Sequence, residues 1–454
     1  MTEVHQGLPF PRRILAIISI FIGSMMLMID TSIASVVLPT IAKELNVPNS
    51  SIVFVVTAYQ LILAMTLMPF AALGDRVGHR RLFQAGLLLH SSAALMSFFA
   101  NSFIALVAVR SLQAVGTAAA LSMSIALLRG IYPVQRLGAG LSLNTIANAS
   151  GTSVAPIIGG LIVSVASWHW VFTAAIPLSL IALAFSHALP DPEPRKHSFD
   201  VLGAALCALT FGLVITGLEA AIHSAHLLLS LGIVGAGAVV GWFFVRHELS
   251  ESDPVLPIDL LMLPPIALST ISCFTAILGS IILMLFIPFR LQHAYGFTPG
   301  EVGGVLAAYA VGSLMFAPLA GILSDRIAVP LLSTIGMTIA SIALLSLALL
   351  PIHPTQFDLI WRIWLCGVGF GIFSSPNARF IVASAPTTRT ASAGSIYSTT
   401  RMLSQAIGAT LVAALLALGL GNGPVPALVA MGLAIVAGAI SVFSLRLAKR
   451  NVVN

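Results

Sequence analysis

The chain has 454 residues, of which 58% are hydrophobic and only 8% are charged, and its formal net charge is +6. Soluble domains carry about 25% charged residues, so this composition excludes a soluble globular protein and indicates an integral membrane protein. In a soluble protein the basic balance would suggest a nucleic-acid partner. Here we attribute it to basic side chains that anchor loops at a membrane face, and no nucleic-acid partner is predicted.

Catalytic and metal-binding patterns are missing from the sequence. Cys207, Cys273 and Cys366 each lie inside a separate apolar run, without the spacing of a metal site or a disulfide framework. No nucleophile–base pair or phosphate-binding loop occurs, and no loop is long enough for a soluble domain. The sequence therefore predicts no metal, no cofactor and no enzymatic activity, with a membrane enzyme or sensor as the alternative from another functional class.

Fourteen apolar segments are long enough to cross a hydrocarbon core of about 30 Å as helices, which predicts an all-α integral membrane fold. The first is too long for a cleavable signal and is expected to be retained. The segments cover residues 14–38, 52–73, 82–100, 104–128, 138–163, 168–189, 200–219, 226–245, 266–289, 302–323, 330–350, 359–381, 392–418 and 425–445.

Basic residues orient these spans. With both termini in the cytoplasm, fifteen of the 21 Lys and Arg residues lie on the cytoplasmic side, four lie within spans and two lie outside. Because Lys and Arg of short loops stay in the cytoplasm, this distribution predicts a multi-pass protein of a bacterial inner membrane with both termini cytoplasmic.

Two polar segments, 190–199 and 246–265, divide the spans into groups of six, two and six. We predict an N-terminal six-helix bundle over 1–190, a linker with two additional transmembrane helices over 191–250, and a C-terminal six-helix bundle over 251–454. The outer groups resemble each other, and repeated halves are typical of transporters that rock about a central site.

Asp30 is the most informative single residue, because an ionised carboxyl within an apolar span costs several kcal/mol unless it faces a cavity or a partner. Span 1 starts at the cytoplasmic edge of the membrane, whereas span 4 starts at the outer edge. The helical rise places Asp30 about 24 Å above the cytoplasmic edge and Arg110 about 9 Å below the outer edge. In a hydrocarbon core of about 30 Å these two depths nearly coincide. We expect both side chains to face one cavity, with Asp30 as the proton-binding group. A static ion pair between spans 1 and 4 is the alternative.

Span 5 carries a face of small residues. Gly151, Ala155 and Gly159 recur every four residues, so another helix can approach this face closely. Pro156 lies beside them and removes one helical hydrogen bond. Gly160 follows directly.

Other embedded polar groups have competing interpretations. Arg401 lies about 15 Å into span 13, where it either contacts substrate or extends toward the cytoplasm. Arg362 is expected to pair locally with Asp358, Glu219 to lie at the membrane interface, and His90 to be a hydrogen-bonded packing residue.

Five stretches of the chain resemble the fourteen-span drug:proton antiporter branch of the major facilitator superfamily. They are the loop Ala71-x-Leu73-x-Asp75-Arg76-x-Gly78-x-Arg80-Arg81, repeated in part as Gly321-x-Leu323-x-Asp325-Arg326; the segment from Ile29-Asp30-Thr31 to Leu38-Pro39; Arg110-x-x-Gln113-x-x-Gly116; Gly151-x-x-x-Ala155-Pro156-x-x-Gly159-Gly160; and Trp168-x-Trp170-x-Phe172. Ala71, Ala155 and Ser35 depart from the family patterns, which have Gly, Gly and Asn there.

The resemblance implies a fold of two six-helix bundles with two extra central spans. It also implies export of small amphipathic compounds in exchange for protons by alternating access, driven by the proton gradient without a cofactor. The expected partners are these substrates, protons and membrane lipid, and the chain is expected to be a monomer. A dedicated transporter of one metabolite or organic ion, on the same fold, is the alternative.

Site roles follow from the same resemblance. Arg110 is expected to couple to Asp30, and the span 5 motif is expected to form a seam with the other half that restricts leak. A conformational latch at the cytoplasmic ends is expected from Asp75, Arg76, Gly78, Arg80, Arg81, Asp325 and Arg326. The substrate cavity is expected to include Tyr59, Gln60, Gln113, Asn144, Asn148, Phe286 and Arg401, although ordinary packing would also explain most of these residues.

Overall fold

The structure is a computed structural model. It describes residues 7–133, 137–190, 200–223, 227–251, 258–324, 326–351, 353–386, 389–421 and 423–453. A few helical side chains within these ranges, that of Asp75 among them, lie outside the description. The predictions for Asp325 and for the side chain of Asp75 therefore fall outside the described part of the chain.

The described elements are helical. The first half contains α1 (Arg12–Glu44), α2 (Asn49–Ile52), α3 (Phe54–Val77), α4 (His79–Ser97), α5 (Phe103–Ile131), α6 (Leu137–Val165), α7 (His169–Thr173) and α8 (Ile176–Phe185). The additional pair is α9 (Val201–His223) and α10 (Leu227–Ser250). The second half contains α11 (Ile258–Leu261), α12 (Pro264–Ala294), α13 (Pro299–Leu323), α14 (Val329–Ala348), α15 (Gln356–Ala383), α16 (Thr390–Ala417) and α17 (Val425–Val453).

Twelve helices within the described residues are long and apolar enough to cross a membrane. The predicted third and fifth spans, in α4 and α6, are not among these twelve. Helix α4 begins with His79, Arg80 and Arg81, which make its first turn polar, and α6 includes side chains outside the description. The structure thus gives an all-helical protein with many membrane-crossing helices, and the count of fourteen is not established by it.

Local sequence signals fix where several helices begin. The Thr298 hydroxyl and the Glu301 carboxylate form a reciprocal capping box at the start of α13, and Thr355 and Asp358 form another at the start of α15. Gly78 separates α3 from α4 with φ = 103°, a conformation that favours glycine. The glycine in the basic loop is therefore required by the backbone.

The two halves repeat one packing pattern. Helices α3 and α4 pack on α5, and α13 and α14 pack on α15 in the same way. Because successive long helices run antiparallel, α1 begins and α17 ends at one end of the bundle. We call this end the termini end and the opposite one the far end.

The halves share a core at the far end. One buried apolar cluster there combines residues of both halves, including Val36 and Ile52 with Phe286 and Val302. Toward the termini end, a cluster around Phe83 and Leu127 is built from the N-terminal half, and one around Ile266 and Ile381 is built from the C-terminal half. The buried apolar packing thus joins the halves at the far end and divides between them at the termini end.

Helix α9 lies against both halves. Ile215 packs with Leu61 of α3 and Ala406 of α16, while α10 packs on α9. Glu219, expected at the membrane interface, is only 4% exposed, and one of its carboxylate oxygens accepts a hydrogen bond from the Thr410 hydroxyl of α16 at 2.9 Å. Helix α16 therefore covers this side chain, and its position at the membrane interface stays a prediction.

Candidate functional site

Asp30 of α1 and Arg110 of α5 form a buried ion pair. Arg110 Nη1 donates to Asp30 Oδ1 at 2.8 Å and to Oδ2 at 3.0 Å, and Nη2 donates to the Asp30 backbone carbonyl at 3.3 Å. Each side chain is 1% exposed. The matching depths predicted from the helical rise therefore correspond to direct contact.

Gln113 completes this pair from one turn further along α5. Its Oε1 accepts from Arg110 Nη1 at 2.7 Å, and its Nε2 donates to Asp30 Oδ1 at 2.9 Å. The guanidinium carbon of Arg110 also lies 4.2 Å from the ring centroid of Tyr59 and 4.8 Å from that of Phe172. Aromatic faces stabilise a desolvated cation, so Arg110 is held by charge, hydrogen bonds and rings together.

Three residues of this network received no role in the site from sequence reasoning. Phe172 belongs to the Trp-x-Trp-x-Phe stretch, but its position over Arg110 depends on how α7 packs. His90 and Thr117 continue the network from α4 and α5, with His90 Nδ1 3.0 Å from Thr117 Oγ1 and the Tyr59 hydroxyl 2.7 Å from that oxygen. The available signal was spacing, since Thr117 follows Gln113 by one helical turn.

The arrangement holds two opposite charges together away from solvent. Protonation would remove the negative charge that holds Arg110, and a buried cation without its counter-ion is unfavourable. In the present conformation both groups are shielded from solvent. Solvent therefore reaches either group only after a change of conformation.

The small residues of the span 5 motif form two close helix contacts. A Cβ atom at Gly151 would clash with the Met25 carbonyl oxygen of α1, and one at Gly159 would lie 3.0 Å from Ile33 Cγ1. On the other side, a Cβ at Gly160 would lie 2.9 Å from Gly303 Cα of α13. Helix α6 thus packs closely on α1 and on the opposite half.

Replacing Gly303 with alanine is expected to destabilise this contact, because the new Cβ would lie 2.8 Å from the Pro156 carbonyl oxygen and 3.0 Å from Gly160 Cα. Overpacking of this kind costs about 1–3 kcal/mol. Thermal unfolding of the purified protein in detergent measures the loss. Gly304→Ala is the matched control, since a Cβ there meets nothing within 4 Å; equal melting temperatures for the two variants would contradict the close contact.

The predicted latch is only partly visible. Arg76 and Arg81 are exposed at the termini end, Arg80 is half-buried, and Arg326 is exposed in the second half. Arg389 donates to Asp259 nearby, and this hydrogen bond lowers the pKa of the Asp259 carboxyl. The latch itself stays a prediction, because Asp75 and Asp325 fall outside the described side chains.

The predicted cavity residues fall into two groups. Tyr59, Gln113 and Phe286 are fully buried in packing or in the Asp30 network. The others are Gln60, Asn144, Asn148 and Arg401. The amide oxygens of Gln60, Asn144 and Asn148 are buried without a hydrogen-bond partner among the described residues. Arg401 Nη2 lies 4.0 Å from Met28 Sδ, across the junction between the halves.

A separate apolar cavity of about 530 Å³ lies between the added helix pair and the second half. Phe211 and Phe244 line it from α9 and α10, Phe274 lines it from α12, and Ile396 and Leu403 line it from α16. None of the predicted cavity residues lines it. The site residues and this cavity are therefore distinct.

Comparisons with known proteins agree with this architecture. The profile of the Major Facilitator Superfamily matches residues 20–250 and 269–453. The chain is 38% identical to the uncharacterized transporter YebQ of Escherichia coli (strain K12) over 96% of both chains. It is 27% identical to the riboflavin transporter RibZ of Clostridioides difficile (strain 630), covering 87% of this chain and 86% of RibZ.

Two further similarities are lower in identity. The methyl viologen resistance protein SmvA of Salmonella typhimurium (strain LT2) is 26% identical, covering 86% of this chain and 79% of SmvA. The crystal structure of a peptide transporter POT in complex with sulfate has a TM-score of 0.71 at 17% identity, covering 98% of this chain and 97% of that one; it bears on the fold alone. The profile match and the YebQ similarity together establish that the chain belongs to the major facilitator superfamily and is a multi-pass membrane transporter.

Proposed function

We propose that the chain is a fourteen-span, proton-coupled antiporter that exports small amphipathic compounds from the cytoplasm by alternating access. In this proposal α4 and α6 are the third and fifth spans, and both termini lie at the cytoplasmic face of a bacterial inner membrane. The proton gradient supplies the energy without a cofactor, and the monomer is the working unit.

The observation that carries the proposal is the solvent-shielded Asp30–Arg110 pair, with both side chains 1% exposed. A carboxylate in a membrane span marks a functional site by default, and proton relays of transporters use such groups. The similarity to SmvA, a methyl viologen resistance protein, supports export of toxic compounds.

Alternating access gives the pair its role. In the present conformation the two halves are packed together at the far end. With the termini end in the cytoplasm, this conformation receives cargo from the cytoplasm. Rocking of the halves would then expose the predicted substrate cavity to the outside, where cargo leaves and a proton reaches Asp30. Return of the protonated form and release of the proton inside complete the exchange. Protonation of Asp30 and occupancy by cargo thus favour opposite steps of the cycle.

The test is transport by purified protein in liposomes. We expect uptake of a fluorescent amphipathic cation, ethidium, into liposomes that contain inverted protein and an acidic lumen, and proton movement out of the lumen in the same experiment. Collapse of the pH gradient with nigericin should stop net uptake. The same measurement is made with a panel of neutral, anionic and cationic amphipathic compounds. Uptake that is equal with and without the pH gradient for all of them would overturn the proposal.

A second candidate is a dedicated transporter of one metabolite on the same fold. The 27% identity to RibZ, a riboflavin transporter, favours it. Competition of riboflavin and unrelated amphipathic compounds for transport separates the two functions. Inhibition by one compound class only would favour the dedicated transporter.

A further inference from the structure

The apolar cavity of about 530 Å³ beside the added helix pair lies in a gap between two helices. Helix α10 packs on α9 and α11, and α12 packs on α16 and α17, but among the described residues α10 and α12 show no extended packing on each other. Val245 of α10 and Ile271 of α12 line the cavity and are 40% and 49% exposed. The cavity therefore reaches the outer surface of the bundle between these two helices.

The cavity extends over about one leaflet of a bilayer. At the termini end it is lined by Ile258 and Leu261 of α11. Its deepest lining residue on α12 is Phe274, ten residues into that helix, and on α16 it is Leu403, thirteen residues into that helix. The helical rise converts these positions to depths of about 15 Å and about 20 Å. Half of a hydrocarbon core of about 30 Å is about 15 Å, so the cavity has the length of one layer of acyl chains.

The walls of this cavity are apolar. The rings of Phe211, Phe244 and Phe274 line it, and no charged side chain lines it within the described part of the chain. Thr210, one of its four threonines, donates its hydroxyl to the Leu206 backbone carbonyl at 2.7 Å. An apolar cavity of about 150 Å³ already excludes water and takes up hydrocarbon, and this cavity is larger. In a membrane, the hydrocarbon beside its opening is an acyl chain.

A charged pair lies at the end of the cavity that faces the termini. Asp259 stands between the lining residues Ile258 and Leu261 in α11, and Arg389 directly precedes α16. Arg389 donates to both carboxylate oxygens of Asp259, and the two side chains are 34% and 47% exposed. A carboxylate has more acceptor positions, and a guanidinium more N–H donors, than this contact uses. Adjacent opposite charges on the surface are complementary to a zwitterionic headgroup.

We propose that this cavity binds one phospholipid of the leaflet at the termini end, with an acyl chain between α10 and α12 and a phosphatidylethanolamine headgroup on the Asp259–Arg389 pair. The phosphate accepts hydrogen bonds from Arg389, and the ammonium donates to Asp259. A primary ammonium has N–H donors, which the quaternary ammonium of phosphatidylcholine lacks. The lipid fills the gap between the added pair and α12. The inference does not depend on the proposed antiport.

The experiment is native mass spectrometry of the purified, delipidated protein after addition of phosphatidylethanolamine, phosphatidylglycerol or phosphatidylcholine with identical acyl chains. We expect the protein to retain one phosphatidylethanolamine molecule and to bind it about tenfold more tightly than the other two, since a hydrogen bond to a charged group corresponds to about that factor.

Val245→Phe places a ring in the cavity and should lose this lipid. Val239→Phe is the matched control on the same helix, because Val239 is 57% exposed and does not line the cavity. Ile271→Phe fills the cavity from α12 and replaces Val245→Phe if the melting temperature shows that the latter is unfolded. Equal retention of phosphatidylethanolamine by the cavity-filling variant and by Val239→Phe would overturn the inference.

Asp259→Asn tests the headgroup separately. It removes the charge that faces the ammonium, so the preference for phosphatidylethanolamine over phosphatidylcholine should disappear while an acyl chain still binds. An unchanged preference would contradict the proposed headgroup position and overturn the inference. Displacement of the lipid by ethidium, together with loss of ethidium binding in Val245→Phe, would identify the cavity as a cargo site and would also overturn it.

Discussion

Asp30→Asn is expected to abolish transport driven by a pH gradient, reducing it to the rate of protein-free liposomes. Asparagine keeps the size of the side chain and still offers an oxygen to Arg110, but it cannot bind and release a proton. Exchange of labelled cargo for unlabelled cargo, which needs no net proton movement, should persist. Gradient-driven flux and cargo exchange are both measured with the same reconstituted variant.

Asp358→Asn is the control for this result. Asp358 pairs with Arg362 of the second half at 3.1 Å, yet its side chain is 33% exposed and belongs to the capping box of α15. Removing a carboxylate there should leave gradient-driven transport intact. Full gradient-driven transport by Asp30→Asn would show that the buried pair is a static tie between α1 and α5.

Arg110→Leu is expected to cause the largest loss of stability. Removal of one partner from a buried ion pair costs about 3–5 kcal/mol, because the other charge is left without compensation. Here Asp30 is 1% exposed and would retain only the Gln113 amide. Thermal unfolding in detergent at neutral pH measures the loss.

The double variant Asp30→Asn/Arg110→Leu separates charge from packing. Neutralising both partners should restore part of the stability, since no uncompensated charge is left inside. Arg362→Leu, at the partly exposed Asp358–Arg362 pair, should cost much less stability than Arg110→Leu. A double variant that recovers no stability relative to Arg110→Leu would show that the uncompensated charge of Asp30 is not the cause, and that lost packing of the guanidinium against Tyr59 and Phe172 dominates.

Local patterns anticipated much of the fold. Hydrophobic length placed the long helices, because a span must satisfy its backbone internally over a fixed thickness. The count was less secure: the first turn of α4 carries Arg80 and Arg81, so length and composition alone do not identify it as a span. Helical rise brought Asp30 and Arg110 to one depth, but the contact itself depends on how the helices rotate.

The remaining parts of the site depend on tertiary packing. Phe172 and His90 lie far from Asp30 in sequence, and only the docking of α7 and α4 brings them to Arg110 and Gln113. Glu219 shows the same limit, since its position near the end of α9 gives no indication that α16 covers it. Sequence spacing defines faces within one helix, whereas these contacts join different helices.

The placement of α9 has a consequence for how the transporter moves. This helix is a third body at the joint between the halves, and its two attachments differ in kind. Toward α16, Glu219 accepts a hydrogen bond from Thr410. Toward α3, Gly212 lies against the flexible thioether of Met65, since a Cβ added at Gly212 would lie 3.1 Å from the Met65 side chain. Because α9 packs on both α3 and α16, we expect the added pair to limit how far the joint between the halves opens.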